Sequence, residues 1–368
     1  MYQVLFRIPI HLGFFNYDMP IYGFGMMLFV AFVCCTWVVA RLAKREGFDK
    51  DRIYDMAFWI FLCGIIGARI VFMIQYNVPA KDFYKIWQGG IVFYGSAIGG
   101  WIGYALYRLW TRGKYQLSTW KLADVVAPTV CVGLAIGRIG CLLNGCCYGH
   151  ICTDCKWPQF PTMTAPSREL VVEKGFQTAA GFAIDPVSPG SPVVAAVEPH
   201  YPAEAAGLKV GDVIAAVKIV DKMDPVNSVG ALRSMFSPDF WPRGQSDVTL
   251  TVQRGNTSVT LPAFIPRTLP LHPTQLYETI SMGLLFFLLL AFFPYRRFYG
   301  EVFVLLMLGY AVHRFLNESL RNDTDPVFKN LTLSQVGSIL VFLAGVSVWL
   351  NLWRSTKRLA PATKPAPA

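Results

Sequence analysis

The sequence predicts a multi-pass α-helical membrane protein of about seven transmembrane helices, interrupted by an inserted extracytoplasmic α/β domain. Three observations lead there. The chain of 368 residues is 54% hydrophobic and only 15% charged, with a mean hydropathy of +0.41, whereas soluble globular chains carry about 25% charged residues. Apolar stretches close to the ~20 residues that cross a bilayer as a helix recur along it. One long connection abandons that pattern after about Thr178 for short alternating runs separated by turn residues. The same composition excludes disordered, collagen-like and coiled-coil chains. The formal charge of +10, from 33 Lys and Arg against 23 Asp and Glu, fits basic cytoplasmic loops better than nucleic-acid binding.

The spans, in order, are Ile21–Ala40, Met56–Tyr76, Gly90–Leu109, Ala123–Leu143, Leu276–Pro294, Glu301–Glu318 and Leu333–Leu352. No basic stretch precedes the first and no small-residue cleavage site follows it, so it reads as a retained helix and not a signal peptide. Lys and Arg crowd alternate connections: Arg41 to Arg52, Arg108 to Lys121, Arg296 with Arg297, and the tail from Arg354. The other connections carry fewer, with Arg7, Lys81, Lys85, Arg321 and Lys329. This bias places the N-terminus outside and the C-terminus in the cytoplasm. Residues 1–177 and 267–358 form the membrane domain, and the Ala/Pro/Lys-rich 359–368 reads as a disordered tail.

The long outward connection holds a strand candidate at Val193–Val197 and a hairpin, Asp247–Val252 with Ser258–Phe264, around Arg254-Gly255-Asn256. Val226–Phe236 has helical spacing. The run Pro202-Ala-Glu-Ala-Ala-Gly-Leu-Lys-Val-Gly-Asp-Val-Ile214 resembles the bacterial PDZ signature, which assigns 178–266 to a PDZ-like domain. Such domains add a peptide as a strand at a sheet edge, so an exported peptide or envelope protein is its expected partner, with a structural lid as the alternative. Pro189-Gly-Ser-Pro-Val193 matches the usual carboxylate-binding loop poorly.

Arginines inside apolar spans are costly, about 2.5–3.5 kcal/mol at a helix centre on insertion scales. Arg69, Arg138 and Arg314 sit in such spans. For Arg69 a structural ion pair or snorkelling is as good a reading as function. Arg314, Glu318 and Arg321 are spaced i, i+4, i+7 and share a helix face beside Asn317, leaving a net positive surface that suits an anion. Arg138 lies in Gly137-Arg-Ile-Gly-Cys-Leu-Leu-Asn-Gly-Cys-Cys-Tyr-Gly149, where glycines permit close approach and Asn144 offers amide groups. His272-Pro-Thr-Gln-Leu-Tyr-Glu278 gathers Gln275, Tyr277 and Glu278 where a helix enters the membrane, with Thr274 placed to cap it.

Together these strings resemble the prolipoprotein diacylglyceryl transferase family of bacteria, through its Gly-Arg-x-Gly-x-Φ-x-Asn-Gly…Gly, His-Pro-x-Gln-Leu-Tyr-Glu and Arg-x-x-x-Glu-x-x-Arg patterns. Tyr22-Gly23, Arg69 with Tyr76-Asn77, and Gly89-Gly90…Gly95 match as well; the PDZ-like insert does not. The resemblance implies transfer of an sn-1,2-diacylglyceryl group from phosphatidylglycerol to the lipobox cysteine of a preprolipoprotein, with glycerol phosphate leaving and no cofactor or metal. It implies that Arg138 and Arg314 clamp the phosphate, with Glu318 and Arg321 orienting Arg314. Asn144, Gly149, Tyr22, Gln275, Tyr277, Glu278 and Arg69 are the further substrate-binding candidates. Where the family commonly has Phe-His-Gly, this chain has Phe93-Tyr94-Gly95, and a phenol of pKa ~10 is a poorer base than imidazole. Tyr94 then positions substrate or another group takes the thiol proton, His313 or His150 being the candidates. Loss of that histidine also leaves room for a non-catalytic phospholipid-binding scaffold that recruits envelope proteins.

Five of nine cysteines lie between Cys141 and Cys155, with Cys146, Cys147 and Cys152 between them. In an outer loop they fit a disulfide first. Zinc held by Cys147, His150, Cys152 and Cys155, or free packed thiols, are the alternatives. Cys34, Cys35, Cys63 and Cys131 read as small apolar filler within spans.

Overall fold

The computed structural model describes residues 4–12, 15–75, 78–79, 83, 93–111, 118–150, 152, 180–185, 190–236, 245, 247–266, 270–321, 326–328 and 330–355. The chain opens with β1 (Val4–Leu12) and β2 (Phe15–Tyr22), followed by the helices α1 (Gly23–Arg45), α2 (Lys50–Gln75), α3 (Phe93–Trp110) and α4 (Thr119–Asn144). Then come β3 (Phe182–Ile184), β4 (Val194–Val197), α5 (Pro202–Ala205), β5 (Val213–Ile219), β6 (Lys222–Pro225), α6 (Val229–Met235), β7 (Thr249–Arg254) and β8 (Thr257–Thr260). The helices α7 (Thr274–Phe292) and α8 (Glu301–Glu318), a small β9 (Pro326–Phe328) and β10 (Leu331–Thr332) pair, and α9 (Leu333–Ser355) complete it. All seven apolar spans therefore form helices of at least 18 residues.

Five of them, within Gly23–Arg45, Lys50–Gln75, Thr119–Asn144, Thr274–Tyr295 and Leu333–Ser355, are long and apolar enough to cross a membrane on length and hydropathy alone. α8 carries Glu301, Arg314 and Glu318, and α3 is diluted by Gly, Tyr and Trp. Several helices outrun the apolar windows, α2 by starting at Lys50 and α4 at Thr119, because polar residues at the interface continue a helix without adding hydropathy. At the other end, Tyr22 pairs with Val4 and Ile21 with Phe6 in an antiparallel hairpin, so α1 begins at Gly23. That hairpin was not expected.

The chain divides into two compact units. The first comprises Met1–Ala31, Gly133–Leu285 and Met307–Val346. It includes a sheet ordered β6-β5-β7-β8, all antiparallel, and a β3-β4 pair. A core of Phe182, Ile214, Leu232, Phe236, Leu250 and Val252 lies beneath them, each no more than 1% exposed. Fully burying one such side chain is worth about 1.5–3 kcal/mol. Ser228 caps α6 by accepting from Ala231 N at 3.1 Å, and Arg254 clamps Asp212 with two contacts of 2.8 and 2.7 Å. The strand expected at Val193–Val197 forms from Val194, and the expected hairpin turns at Gly255 with φ +60°. β6 was not expected, because its Lys222-Met-Asp-Pro225 lacks apolar alternation; it pairs antiparallel with β5. The expected domain edge at Thr178, the tail 359–368, Pro189, Tyr76-Asn77 and Gly89-Gly90 fall outside the described residues.

The second unit comprises Phe32–Val132, Phe286–Leu306 and Ser347–Ala368. There α2 and α3 meet along glycines. A Cβ on Gly67 would stand 2.9 Å from Gly99 Cα, one on Gly103 would stand 3.0 Å from Cys63 Cβ, and one on Gly99 would collide with the Cys63 carbonyl. Gly95, Gly99 and Gly103 recur every four residues, the small-residue spacing that lets membrane helices approach backbone to backbone. A buried ion network lies in the same unit. Asp124 is fully buried and accepts from Gly300 N at 2.8 Å and Phe303 N at 3.1 Å, satisfying donors at the start of α8. Arg296 lies 3.5 Å from Asp124 and 2.7 Å from Glu46.

The glycine seam makes a direct prediction. Gly99→Ala should cost about 1–3 kcal/mol through overpacking, read as a lower thermal midpoint of the detergent-solubilised protein. Gly25→Ala, whose added Cβ meets nothing within 4 Å, should leave the midpoint unchanged or raised.

Candidate active site

Three sequence-distant strings converge in the first unit, and backbone hydrogen bonds join them. After α4 the chain reverses through Gly145 and Cys147, both in the left-handed region at φ +73° and +64°. Glycine adopts that conformation freely and cysteine does not, so neighbours must hold the turn. Thr274 Oγ1 donates to the Cys147 carbonyl at 2.6 Å and Gln275 Nε2 to the Cys146 carbonyl at 2.7 Å. Next, Gly149 N donates to His272 O at 2.8 Å, His150 N to Leu320 O at 2.9 Å and His272 N to His150 O at 3.0 Å. The end of α4, the start of α7 and the end of α8 are thereby fixed to one another.

Two expectations change here. Thr274 does not cap α7: it is the first helical residue, and its hydroxyl is spent on Cys147. Gly149 offers no backbone N–H to a substrate, since His272 takes it; its lack of a side chain is needed for packing. A Cβ there would lie 2.9 Å from both His272 Cβ and Thr274 Cγ2 and would collide with the Leu320 carbonyl.

Above this backbone knot each arginine rests on a carboxylate more deeply buried than itself. Arg138 Nε meets Glu278 Oε2 at 2.8 Å, with side-chain exposures of 18% and 1%. Arg314 Nη2 meets Glu318 Oε2 at 2.8 Å, with exposures of 16% and 0%. Asn317 Nδ2 donates to Glu278 Oε2 at 3.2 Å, and His313 Nε2 stands 4.0 Å from the same oxygen. Ser281 Oγ contacts His313 Nδ1 at 2.9 Å. Glu318 also accepts from Thr332 Oγ1 at 3.1 Å, and Arg314 Nη2 donates to Ser334 Oγ at 3.0 Å. Arg314 Nη1 is buried without a hydrogen-bond partner among the described residues. Tyr310 lies within electrostatic reach of Glu278, Arg314, Arg138 and Glu318, so it is a common neighbour of both pairs.

Glu278 is 1% exposed; its Oε2 meets Arg138 and accepts from Asn317, and its Oε1 is buried without a hydrogen-bond partner among the described residues. Gln275, fully buried, holds the Cys146 turn. Asn144 ends α4 and donates Nδ2–H to Cys146 Sγ at 3.3 Å. Tyr277 OH contacts His272 Nδ1 at 3.2 Å; burial, with His150 adding repulsion, pushes the His272 imidazole below its ordinary pKa. Arg321 forms the bridge to Gly149 and sits within electrostatic reach of Arg138 and Cys147. Tyr22 ends β2, half-buried. In the second unit, Arg69 is 4% exposed, donates Nε–H to the Phe83 carbonyl at 3.2 Å and lies 5.4 Å from the Phe72 ring centre. These contacts accommodate its charge structurally. Tyr94 belongs to the first turn of α3, and its side chain is outside the described residues.

Ser281, Tyr310, Thr332 and Ser334 were not legible in the sequence. Each is one polar residue in an apolar helix or at its entry, where a hydroxyl bonding its own helix is the ordinary reading. Among the cysteines, Cys152 is disulfide-bonded, which removes it from the zinc set expected with Cys147, His150 and Cys155; Cys155 is outside the described residues. Cys141, Cys146 and Cys147 are free thiols. Hydrogen bonding with Cys141 and Cys146, and then the positive field of Arg321 and Arg138, hold the Cys147 thiol well below the ordinary range.

A family model described as prolipoprotein diacylglyceryl transferase matches residues 11–351. The chain belongs to that family. It is 28% identical to a phosphatidylglycerol–prolipoprotein diacylglyceryl transferase of Rhodopirellula baltica across 93% of this chain and 74% of the relative. It is 24% identical to a protein of the same name from Yersinia enterocolitica, over 91% of this chain and 90% of the relative. As a member of the family with long apolar helices, it is a multi-pass membrane protein.

The buried carboxylate supplies the test of this geometry. Glu278→Ala strands the Arg138 guanidinium and the Asn317 amide and should destabilise the protein by about 3–5 kcal/mol. Glu278→Gln keeps an acceptor and should lose less. Differential scanning fluorimetry of the purified variants measures both.

Proposed function

We propose that this protein transfers the sn-1,2-diacylglyceryl group of phosphatidylglycerol to the lipobox cysteine thiol of preprolipoproteins. The bond between the glyceryl carbon and the phosphate oxygen breaks, a carbon–sulfur thioether forms, and glycerol phosphate leaves. The thiol proton passes to a base. One observation carries the reading: two guanidinium groups, each seated on a buried carboxylate, share Tyr310 as a neighbour. A phosphodiester brings one negative charge to them, and the leaving group gains charge as the C–O bond breaks. Donors fixed in a low-dielectric site stabilise that developing charge without reorganising.

In this reading Arg138 offers the terminal nitrogens that Glu278 does not occupy, and Arg314 offers Nη1. Glu318 and Glu278 position them. Arg321, Asn144, Tyr22 and Tyr277 line the approach of headgroup and signal peptide, while Gln275 and Gly149 maintain the fold around it. A groove of about 220 Å³, lined by Ala311, Val312, Phe315, Leu316, Ile339 and Phe342, lies on the helix that carries Arg314 and suits an acyl chain. His313, held between Ser281 and Glu278, and His272, with its lowered pKa, are the candidate acceptors of the thiol proton in place of the missing α3 histidine.

The basic-loop bias supports an inner-membrane protein with its N-terminus outside and its C-terminus cytoplasmic. Residues 178–266 make up an extracytoplasmic PDZ-like domain between membrane segments 1–177 and 267–358, and 359–368 is the cytoplasmic tail. A short α5 with its Gly207 turn before β5, and the buried core beneath β3 to β8, support that assignment. An exported peptide or envelope protein is the proposed partner, docked as an added strand.

Complementation of a bacterial strain depleted of its own transferase tests the reaction. Wild type should restore growth, and Arg138→Ala and Arg314→Ala should each abolish it at normal expression. Growth with both variants would sink the phosphate-clamp assignment.

A further inference from the structure

We propose that Cys141, Cys146 and Cys147 form a binding site for one thiophilic d10 metal ion, Zn²⁺ or Cu⁺, at the C-terminal end of α4. The three sulfurs lie within 4.8 Å of one another, and Cys146 Sγ and Cys147 Sγ are 3.8 Å apart. With metal–sulfur bonds of about 2.3 Å, sulfurs are ~3.8 Å apart on a tetrahedral centre and ~4.0 Å apart on a trigonal one. Closing the triad on an ion therefore requires side-chain adjustments of about an ångström and no refolding. None of the three thiols is paired in a disulfide, although Cys152 close by is.

Cys141, Cys146 and Cys147 are half-buried, as Cys34, Cys35 and Cys63 are, but these three are gathered within reach of one ion. One turn assembles them. Gly145 and Cys147 bend the backbone back at φ +73° and +64°, so the sulfur of Cys147 returns to that of Cys141 at the end of the helix. Thr274 and Gln275 hold the carbonyls of Cys147 and Cys146 at 2.6 and 2.7 Å, which fixes the ligands before an ion arrives. Asn144 donates Nδ2–H to Cys146 Sγ at 3.3 Å, the outer-shell contact that stabilises a coordinating thiolate.

The charges are compatible. Coordination releases each thiol proton to solvent, and the resulting negative charge falls within reach of Arg138 and Arg321 as well as of the ion. Soft thiolate sets select Cu⁺ and Zn²⁺ over hard cations. A three-sulfur set satisfies trigonal Cu⁺ outright and leaves Zn²⁺ one position for water or another ligand. The alternative zinc set read from the sequence loses Cys152 to a disulfide, and the left-handed turn at Cys147 is invisible in spacing alone.

The test uses the full-length protein, purified in detergent, reduced and metal-free. Zn²⁺ and Cu⁺ are titrated separately against competing chelators of known affinity. Mass spectrometry after alkylation reads which thiols each ion protects. One equivalent of either ion should bind, protecting Cys141, Cys146 and Cys147 but not Cys34. Each of Cys141→Ser, Cys146→Ser and Cys147→Ser should weaken binding at least ~100-fold, and Cys34→Ser should leave it unchanged. Co²⁺ in place of Zn²⁺ should give near-ultraviolet sulfur-to-cobalt charge-transfer absorption. Wild-type protein that binds neither ion stoichiometrically, or that binds one while the three thiols alkylate freely, overturns the proposal without recourse to any variant. The readout is metal binding, so it stands or falls independently of the transfer reaction.

Discussion

Glu278 carries a carboxylate into an apolar helix at 1% exposure, and the arrangement of the site follows from having to compensate it. A buried ion left unpaired costs several kcal/mol even after relaxation. Arg138 from α4 and Asn317 from α8 supply the compensation through one shared oxygen. Three helices, α4 distant in sequence from α7 and α8, are thereby tied to one atom. The arginine gains as much from the arrangement as the acid does, since its own insertion into an apolar span is offset only by such a partner.

The same solution is repeated one helix over. Glu318, fully buried, receives Arg314 and Thr332, and Ser334 takes another contact from the same guanidinium. Each arginine is anchored on a carboxylate more deeply buried than itself. In the proposed function an anion that reaches them meets donors already oriented, so ordering is not paid for at the moment of binding. Aspartate or glutamate exposed at the same positions would compete with a phosphate; buried behind the arginines, they direct the guanidinium groups toward it. The backbone knot of Gly149, His150, His272 and Leu320 serves the same end by fixing the helix termini.

Much of this was legible in the sequence because charges in apolar spans are rare enough to be informative. Arg138, Arg314 and Glu318 stood out for that reason, and helical spacing alone placed Arg314 against Glu318. The seven helices were legible through their hydropathy, with ends displaced where interfacial residues prolong them. What the sequence hid depended on tertiary contact. His-Pro-Thr-Gln looked like a capping string, yet Thr274 and Gln275 reach across to the Cys146–Cys147 turn. At Gly149 the packing against His272, Thr274 and Leu320 that excludes a side chain was likewise hidden. The β1–β2 hairpin was concealed because Ile21 and Tyr22 continue the apolar run of α1. Cysteine spacing suggested a disulfide first and zinc as an alternative; Cys152 is disulfide-bonded, while a left-handed residue at Cys147 brings three free thiols together.

The central claim is that the two seated guanidinium groups hold the lipid phosphate. Solid-state NMR on protein reconstituted with phosphatidylglycerol, with ¹⁵N-labelled arginine, measures the ¹⁵N–³¹P dipolar coupling directly. A charge-assisted hydrogen bond puts phosphorus about 4 Å from the guanidinium nitrogens. The account predicts short-range dephasing that diminishes in Arg138→Lys and in Arg314→Lys. Dephasing that survives in the double Arg138→Lys, Arg314→Lys protein, or its absence from wild type with lipid in excess, would contradict it.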